Sequence, residues 1–240
     1  MNNVFMFIIA VVSVIFCWTG DRISAQERLE FSTIQDSIIT PVLQQVVQEG
    51  YQQAGIEIKI TEMPAQRSLL EANEGRVDGE LVRTKFIEPI SPNLIRIPVS
   101  IYLYKSMAFS KQKIRINGWR SLKPYKLGFL RGHKQVEEKL KGLTYKRVEN
   151  SDQLFKMMDA ERLDVVIIGR ARGLRTIQQL NLEKIKVLEP PLSELNLYHY
   201  LHKRHQHLVS KMTKIFQKME DNGRIKQIND QFEMSLRGKK

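Results

Sequence analysis

Residues 73–78 read Asn73-Glu74-Gly75-Arg76-Val77-Asp78, and residues 159–164 read Asp159-Ala160-Glu161-Arg162-Leu163-Asp164. Each stretch follows a segment with helical apolar spacing and ends at an aspartate that precedes a strand-like run. In both stretches an arginine and an apolar residue stand directly before that aspartate. This shared order of helix, arginine, apolar residue, aspartate and strand predicts that the chain contains two similar units.

The first unit alternates between strand and helix patterns. Residues 29–34 and 57–63 have the composition and spacing of strands, and the segment after each has helical apolar spacing until Gly55 and Gly75. Asp36 and Ser37 precede the first helix, where their side-chain oxygens can cap it or contact a ligand. Residues 78–82 and 95–104 add further strands, so we expect an α/β unit.

The second unit repeats this pattern and leads back to the first. We expect strands at 126–130, 145–148 and 164–168, and helices at 136–140 and 154–160. After Pro190-Pro191 the chain is extended again over 195–201, and a final amphipathic helix needs a partner, for which the first unit is the natural candidate. The chain then crosses between the units twice, near 104–110 and 190–196, which predicts a hinge.

Residues 1–25 are interpreted as a signal peptide. The apolar run 4–18 is shorter than a membrane-spanning helix needs, and Ile23-Ser24-Ala25 offers small residues for cleavage after Ala25. An uncleaved anchor remains the alternative. The single cysteine, Cys17, lies inside this run, so the mature chain has no thiol for disulfides, thiolate metal sites or cysteine catalysis.

The net charge of +12 is unevenly distributed. Residues 26–105 contain 8 Lys and Arg against 11 Asp and Glu, and residues 106–240 contain 29 against 14. The basic half attracts acidic molecules or is simply a solvated surface. Export and the absence of basic segments with interleaved aromatic residues argue against a nucleic-acid partner.

Four stretches in order resemble the short periplasmic solute-binding proteins of the amino-acid type, bacterial family 3. They are residues 74–79, residues 121–128 followed by Arg131-Gly132-His133, residues 160–168, and residues 219–225. The resemblance implies an α/β fold of two Rossmann-like lobes joined by a two-stranded hinge, the type II periplasmic binding arrangement. It gives lobe 1 as 26–105 plus 196–240 and lobe 2 as 106–195, with the ligand held between them.

The resemblance also implies a function, with alternatives. Family members deliver solutes to ABC importers, others are sensor modules, and a few relatives are enzymes. We expect a monomeric binding protein with an ABC permease as its partner, no cofactor and no catalytic activity. A sensor or accessory module is the first alternative, and a dehydratase-like enzyme, for which Glu80 is the acid we would nominate, is the second.

The departures from the family pattern concern the ligand. The arginine context that takes a carboxylate in amino-acid binders is missing, and Arg83 comes earlier, at a strand end. The family's glycine-threonine appears as Gly132-His133, and Gly169-Arg170 replaces the aspartate that holds an ammonium group. With these changes, the predicted ligand is a small anion or carboxylate rather than a zwitterionic amino acid.

Candidate ligand residues stand at strand ends and helix starts, where free N–H groups favour negative charge. An arginine there can bind a carboxylate through two hydrogen bonds. Four histidines, His199, His202, His205 and His207, have a spacing that argues against a shared metal site. The complete candidate set is Arg67, Arg83, Arg131, Arg170, Asp36, Ser37, Gly132 and His133.

Overall fold

A computed structural model describes residues 28–236 of the 240-residue chain. The predicted signal peptide lies outside the described residues. The strands are β1 (Arg28–Ile34), β2 (Glu57–Met63), β3 (Gly79–Arg83), β4 (Leu94–Ser110), β5 (Leu127–Leu130), β6 (Tyr145–Val148), β7 (Val165–Gly169) and β8 (Lys186–His202). The helices are α1 (Thr40–Gln53), α2 (Ala65–Asn73), α3 (Lys134–Lys139), α4 (Ser151–Asp159), α5 (Arg170–Gln179), α6 (Gln206–Asp221) and α7 (Arg224–Ser235).

All eight strands form one mixed sheet in the order β2-β1-β3-β8-β4-β7-β5-β6. Strands β1, β2 and β3 are parallel to one another, as are β5, β6 and β7. Between these two groups run the antiparallel strands β8 and β4, each 17 residues long. The predicted α/β fold of two lobes joined by two crossing strands is therefore confirmed.

Separate apolar cores stabilise the two lobes. In the first lobe α1, α6 and α7 cover one face of the sheet, with Phe31, Val46 and Phe216 fully buried among them. In the second lobe Phe129 and Ile167 belong to the core on one face, and Phe109 and Phe155 belong to the core on the other. The final helices pack on the first lobe, as the sequence predicts. The residue boundaries given above for the lobes stay a prediction.

The repeated stretches have matching backbone hydrogen bonds. The N–H of Asp78 donates to the carbonyl of Glu30, and the N–H of Asp164 donates to that of Lys126 (2.7 and 2.9 Å). In return, each aspartate side chain accepts a hydrogen bond from the backbone N–H of the same partner residue, at 2.7 Å for Asp78 and 2.8 Å for Asp164. The predicted internal repeat is thus confirmed, and the aspartate in each copy ties the loop before a strand to a neighbouring strand.

Asp36 and Ser37 do not cap α1 through their side chains, contrary to the sequence prediction. The N-cap residue is Ile39, and no side chain accepts a hydrogen bond from the first turn. The N–H of Thr40 instead donates to the backbone carbonyl of Ser37 (3.0 Å). Pro41 occupies the first turn and has no N–H to be capped, and Asp36 has a left-handed backbone conformation, with φ 57°. These two side chains are therefore free of a capping role.

Candidate ligand cavity between the lobes

A cavity of about 190 Å³ lies between the two lobes, beside the strands that join them. The first lobe contributes the segment between β1 and α1, and the second contributes His133 and the start of α5. The crossing strand β4 contributes residues 102–105, and α7 contributes Glu233. A volume of this size suits a small molecule and not a folded peptide.

Two helices begin at this cavity without side-chain caps. Ile38 and Ile39 at the start of α1 and residues 169–172 at the start of α5 line it, and neither helix has a side-chain hydrogen bond at its N-cap. The helix dipole gives both first turns a partial positive charge, but at α1 Thr40 already donates to Ser37 and Pro41 has no N–H, so the start of α5 is the better source of donors for a ligand. This placement follows from the topology, because the carboxyl ends of β1 and β7 both face the cavity.

Arg172 joins the two lobes across the cavity. Its Nη2 donates a hydrogen bond to the backbone carbonyl of Asp36 (2.7 Å). Within residues 28–236 no carboxylate forms an ion pair with Arg172, so its charge is uncompensated. Lys105 also lines the cavity, with its nearest carboxylate, that of Glu194, 4.0 Å away. Arg172 and Lys105 are thus basic side chains of the lining, and Glu233 is its acidic one.

Arg170 lines the cavity, but its charge is balanced. Its Nη1 lies 2.6 Å from a carboxylate oxygen of Glu189, and its Nε lies 3.3 Å from one of Glu233. Only 12% of the Arg170 side chain is exposed, and the two ion pairs fix its position. Arg170 therefore links α5 to β8 and α7, and the uncompensated guanidinium at the cavity belongs to Arg172.

His133 and two tyrosines complete the wall. Burial, with a smaller contribution from the charge of Arg172, lowers the pKa of His133, which favours the neutral imidazole. Burial raises the pKa of Tyr104, whose hydroxyl packs against Gly169. A Cβ atom at Gly169 would lie 2.4 Å from that hydroxyl oxygen, so glycine is needed where the crossing strand meets α5. Tyr102 and Tyr104 give the cavity an apolar side.

Three of the eight candidate residues line the cavity: Ser37, His133 and Arg170. Asp36 borders it through the carbonyl that accepts from Arg172. Gly132, with φ 86°, makes the turn before α3 and does not line the cavity. Arg67 and Arg131 are largely exposed, at 69% and 67%, and lie near Glu71 and Glu149 respectively.

Arg83 holds a buried carboxylate in the first lobe. Its Nε donates to Glu80 (2.7 Å) and its Nη2 donates to the carbonyl of Ala65 (2.9 Å). Glu80 is fully buried and also accepts hydrogen bonds from the hydroxyls of Ser32 and Ser68. Burial raises the pKa of Glu80 although Arg83 and both serines act in the opposite direction. This network lies apart from the cavity lining, so Glu80 is not positioned to act on a molecule bound there.

Arg172, Lys105 and Glu233 line the cavity although the sequence did not single them out. Arg172 lies two residues after Arg170, in the first turn of α5. Had a helix been predicted directly after β7, both arginines would have been candidates for the ligand site. Glu233 comes from α7, whose packing against the hinge has no local sequence signal. The rings of His205 and His207 lie 6.1 Å apart, but no group of three or more side chains that could hold a metal ion occurs in residues 28–236.

Comparison with known proteins places the fold. A substrate-binding protein of an amino-acid ABC transporter from Streptococcus pneumoniae, bound to L-arginine, aligns with a TM-score of 0.65 and 13% identity, over 88% of this chain and 97% of that one. The ligand-binding core of GluR0 in complex with L-glutamate aligns with a TM-score of 0.69 and 10% identity, over 87% and 99%. A histidine kinase sensor domain aligns with a TM-score of 0.64 and 11% identity, over 86% and 96%. The chain thus has the type II periplasmic-binding-protein fold, and these neighbours are binding proteins rather than enzymes.

Sequence comparison adds one relative. A protein of Shewanella oneidensis, described as uncharacterised, is 29% identical over 197 residues, which cover 77% of this chain and 73% of that protein. No protein-family model matches the chain. Among residues 28–236, none of the helices combines the length and the apolar character that crossing a bilayer requires.

Proposed function

We propose that this chain is a periplasmic solute-binding protein that captures a small anionic or carboxylate-bearing solute for an ABC-type importer, without catalysis. The observation that carries the proposal is the uncompensated guanidinium of Arg172 in a cavity between the lobes. Lys105, the start of α5 and the polar edge of His133 face the same cavity. An anion there would gain charge-assisted hydrogen bonds, each contributing roughly 1.5 to 3 kcal/mol.

The ligands of the structural neighbours suggest a competing solute class. L-Arginine and L-glutamate, bound by two of them, each carry an α-ammonium group. A zwitterion needs an acidic partner for that group, and Glu233 is the carboxylate that lines the cavity. Glu233 pairs with Arg170 through one carboxylate oxygen, so an ammonium group there would share a carboxylate that is already partly neutralised. The guanidinium of Arg172, which has no carboxylate partner among residues 28–236, is the feature that favours an anion.

Thermal-shift screening of the protein against carboxylates, phosphate, sulfate and amino acids tests the solute class. A solute present at 100 times its dissociation constant adds about 2.7 kcal/mol to the free energy of unfolding. We expect anions to raise the melting temperature and Arg172→Gln to remove the effect. Arg175→Gln is the matched control, because Arg175 is exposed on the same helix and does not line the cavity.

Two results would contradict the proposal. Stabilisation by zwitterionic or cationic amino acids, without any by simple anions, would assign the cavity to a different solute class. An equal loss in the Arg172 and Arg175 variants would show a general charge effect. The sensor alternative, supported by the likeness to a histidine kinase sensor domain, predicts that deleting the gene leaves uptake of the identified solute unchanged.

A further inference from the structure

The segment 111–126 carries six Lys and Arg residues and no Asp or Glu. It connects the end of β4 to the start of β5. The cavity lies towards the other end of these strands in the second lobe. Its lining includes residues 102–105, which precede the last residues of β4, and His133, which follows β5. The two ends of the segment therefore lie at the end of the second lobe that faces away from the cavity, while Trp119 in its middle lines a second pocket with Phe86 and Ser106.

The apolar side chains of this segment pack on the second lobe, and its basic side chains are exposed to solvent. Ile114, Ile116 and Leu122 are buried in the core of the second lobe, and Trp119 and Tyr125 pack against that core. The basic residues between them are exposed: Lys113, Arg115, Arg120, Lys123 and Lys126. Lys111 pairs with Asp159, but within residues 28–236 none of these five forms an ion pair.

Two further lysines extend the same surface. Lys186, the first residue of β8, pairs in register with Ser110, directly before the segment, and Lys184 precedes it. Both lysines are exposed, and neither forms an ion pair with a residue of the described range. We call these seven residues the basic end; they are Lys113, Arg115, Arg120, Lys123, Lys126, Lys184 and Lys186. Asp159, Glu161, Asp164 and Glu183 stand at the same end, but they are fewer than the basic residues, so a net positive charge remains that favours an external anionic partner.

The basic end lacks the features that a protein or nucleic-acid partner requires. The large apolar side chains exposed in residues 28–236 are Leu70, Phe86, Ile90, Leu103 and Met234, all outside it. Protein interfaces depend on buried aromatic or aliphatic anchors, and single-stranded nucleic acid depends on aromatic stacking. Trp119 and Tyr125 are partly buried against the core of the second lobe, and Trp119 lines a pocket beside α3 instead of facing the basic end.

We propose that the basic end docks the protein on the anionic phospholipid headgroups of a membrane surface. Five of its seven charges are lysines, compact charges that interact with many headgroup positions without a fixed hydrogen-bond geometry. Attraction to such a surface increases with each basic residue held near it. Docking through this end leaves the cavity open to solutes but turned away from that membrane, because the cavity lies at the other end of the second lobe's strands, so delivery to an importer in the same membrane requires the protein to detach.

Co-sedimentation with vesicles tests this surface. The probe vesicles contain phosphatidylglycerol and phosphatidylcholine in a one-to-two ratio, and vesicles of phosphatidylcholine alone measure any binding by the apolar residues 4–18. We expect charge-dependent binding that weakens as salt is added. The variant Lys113→Gln, Lys123→Gln, Lys126→Gln should lose roughly tenfold or more in affinity, since each basic residue near an anionic surface contributes roughly a fivefold factor.

The matched control removes the same charge from the first lobe. Lys203→Gln, Lys214→Gln and Lys218→Gln replace three exposed lysines, and this variant should keep the wild-type affinity. Equal losses in the two variants, or equal binding to both kinds of vesicle, would overturn the proposal. So would a loss of heparin or DNA binding in the first variant with unchanged vesicle binding, since the partner would then be a soluble polyanion. Unchanged melting temperatures in both variants exclude unfolding as the cause.

Discussion

His199 is a titratable group that is fully buried in the first lobe. Its Nδ1 lies 3.1 Å from the carbonyl of Leu81 and its Nε2 lies 3.0 Å from the hydroxyl of Tyr51. Burial lowers the pKa of His199 to about 4, against about 6.5 for an unperturbed histidine. His199 therefore takes up a proton at a higher pH in the unfolded chain than in the folded protein. The contribution of His199 to stability is complete only above about pH 6.5.

Acid should destabilise the protein through His199. As the pH falls from about 6.5 to about 4, protonation of His199 in the unfolded chain should remove up to about 3 kcal/mol of unfolding free energy. Urea denaturation of wild type and of His199→Gln across this range measures the effect, and the variant should show a smaller slope. His207→Gln, at an exposed histidine, is the control. A wild-type slope in the His199 variant would show that other groups cause the acid sensitivity.

Single residues also show where sequence reasoning about the site reaches its limit. Ser37, His133 and Arg170 line the cavity because strand ends and helix starts, which can be located from the sequence, converge there. Arg83 stands at a strand end too, yet its guanidinium turns to Glu80. The sequence does not show this, because the partner of an arginine depends on which carboxylate the fold brings near.

Among the structural elements, the two repeated loops carry different residues at their left-handed position. Gly75 and Glu161 both follow a helix and both have left-handed backbone conformations, with φ 72° and φ 58°. This conformation is disfavoured for a residue with a Cβ atom and is readily adopted by glycine. Glu161 is exposed and close to the end of α4, so its side chain makes no buried contact that a substitution would lose.

Glu161→Gly should therefore stabilise the protein. We expect a gain of about 0.5 to 1 kcal/mol in unfolding free energy. The substitution relieves backbone strain in the folded protein, and the greater conformational freedom of glycine in the unfolded chain offsets part of that gain. Chemical denaturation measures it, with Glu161→Ala as the control, because alanine keeps the strained conformation and removes the charge. An equal gain with alanine would attribute the effect to the negative charge near the carboxyl end of α4 instead.

Elements with local signals were predicted well, and elements that depend on distant partners were not. Strands β2 and β6 match the predicted ranges 57–63 and 145–148. Strand β8 was predicted only over 195–201, because Pro190 and Pro191 cannot donate ladder hydrogen bonds, yet the strand begins at Lys186. Residues 186–188 are extended because they pair with residues 108–110 of β4, which lie far away in the sequence. Helix α5 has few apolar residues and was not predicted.

At the scale of the molecule, the pairing of the crossing strands is interrupted beside the second lobe. Ser106 pairs with Ser193 and Ala108 pairs with Leu188, so two steps along β4 correspond to five along β8. The residues 189–192 therefore leave the regular ladder. The ladder is also irregular between Arg96 and Tyr102, but this break lies beside the second lobe, where few hydrogen bonds resist bending, and we expect the lobes to rotate about this point.

Solution scattering tests whether a solute closes the lobes. A ligand shifts an equilibrium between open and closed arrangements only if it binds one of them more tightly, and a solute in this cavity contacts both lobes only when they are close. Arg172 belongs to the second lobe and donates to Asp36 in the first, so it favours closure both directly and through an anion that it binds. Saturation with the solute identified by thermal shift should reduce the radius of gyration of the wild type and of Arg175→Gln. Arg172→Gln at the same solute concentration should remain extended, and identical scattering with and without solute in the wild type would contradict a closing hinge.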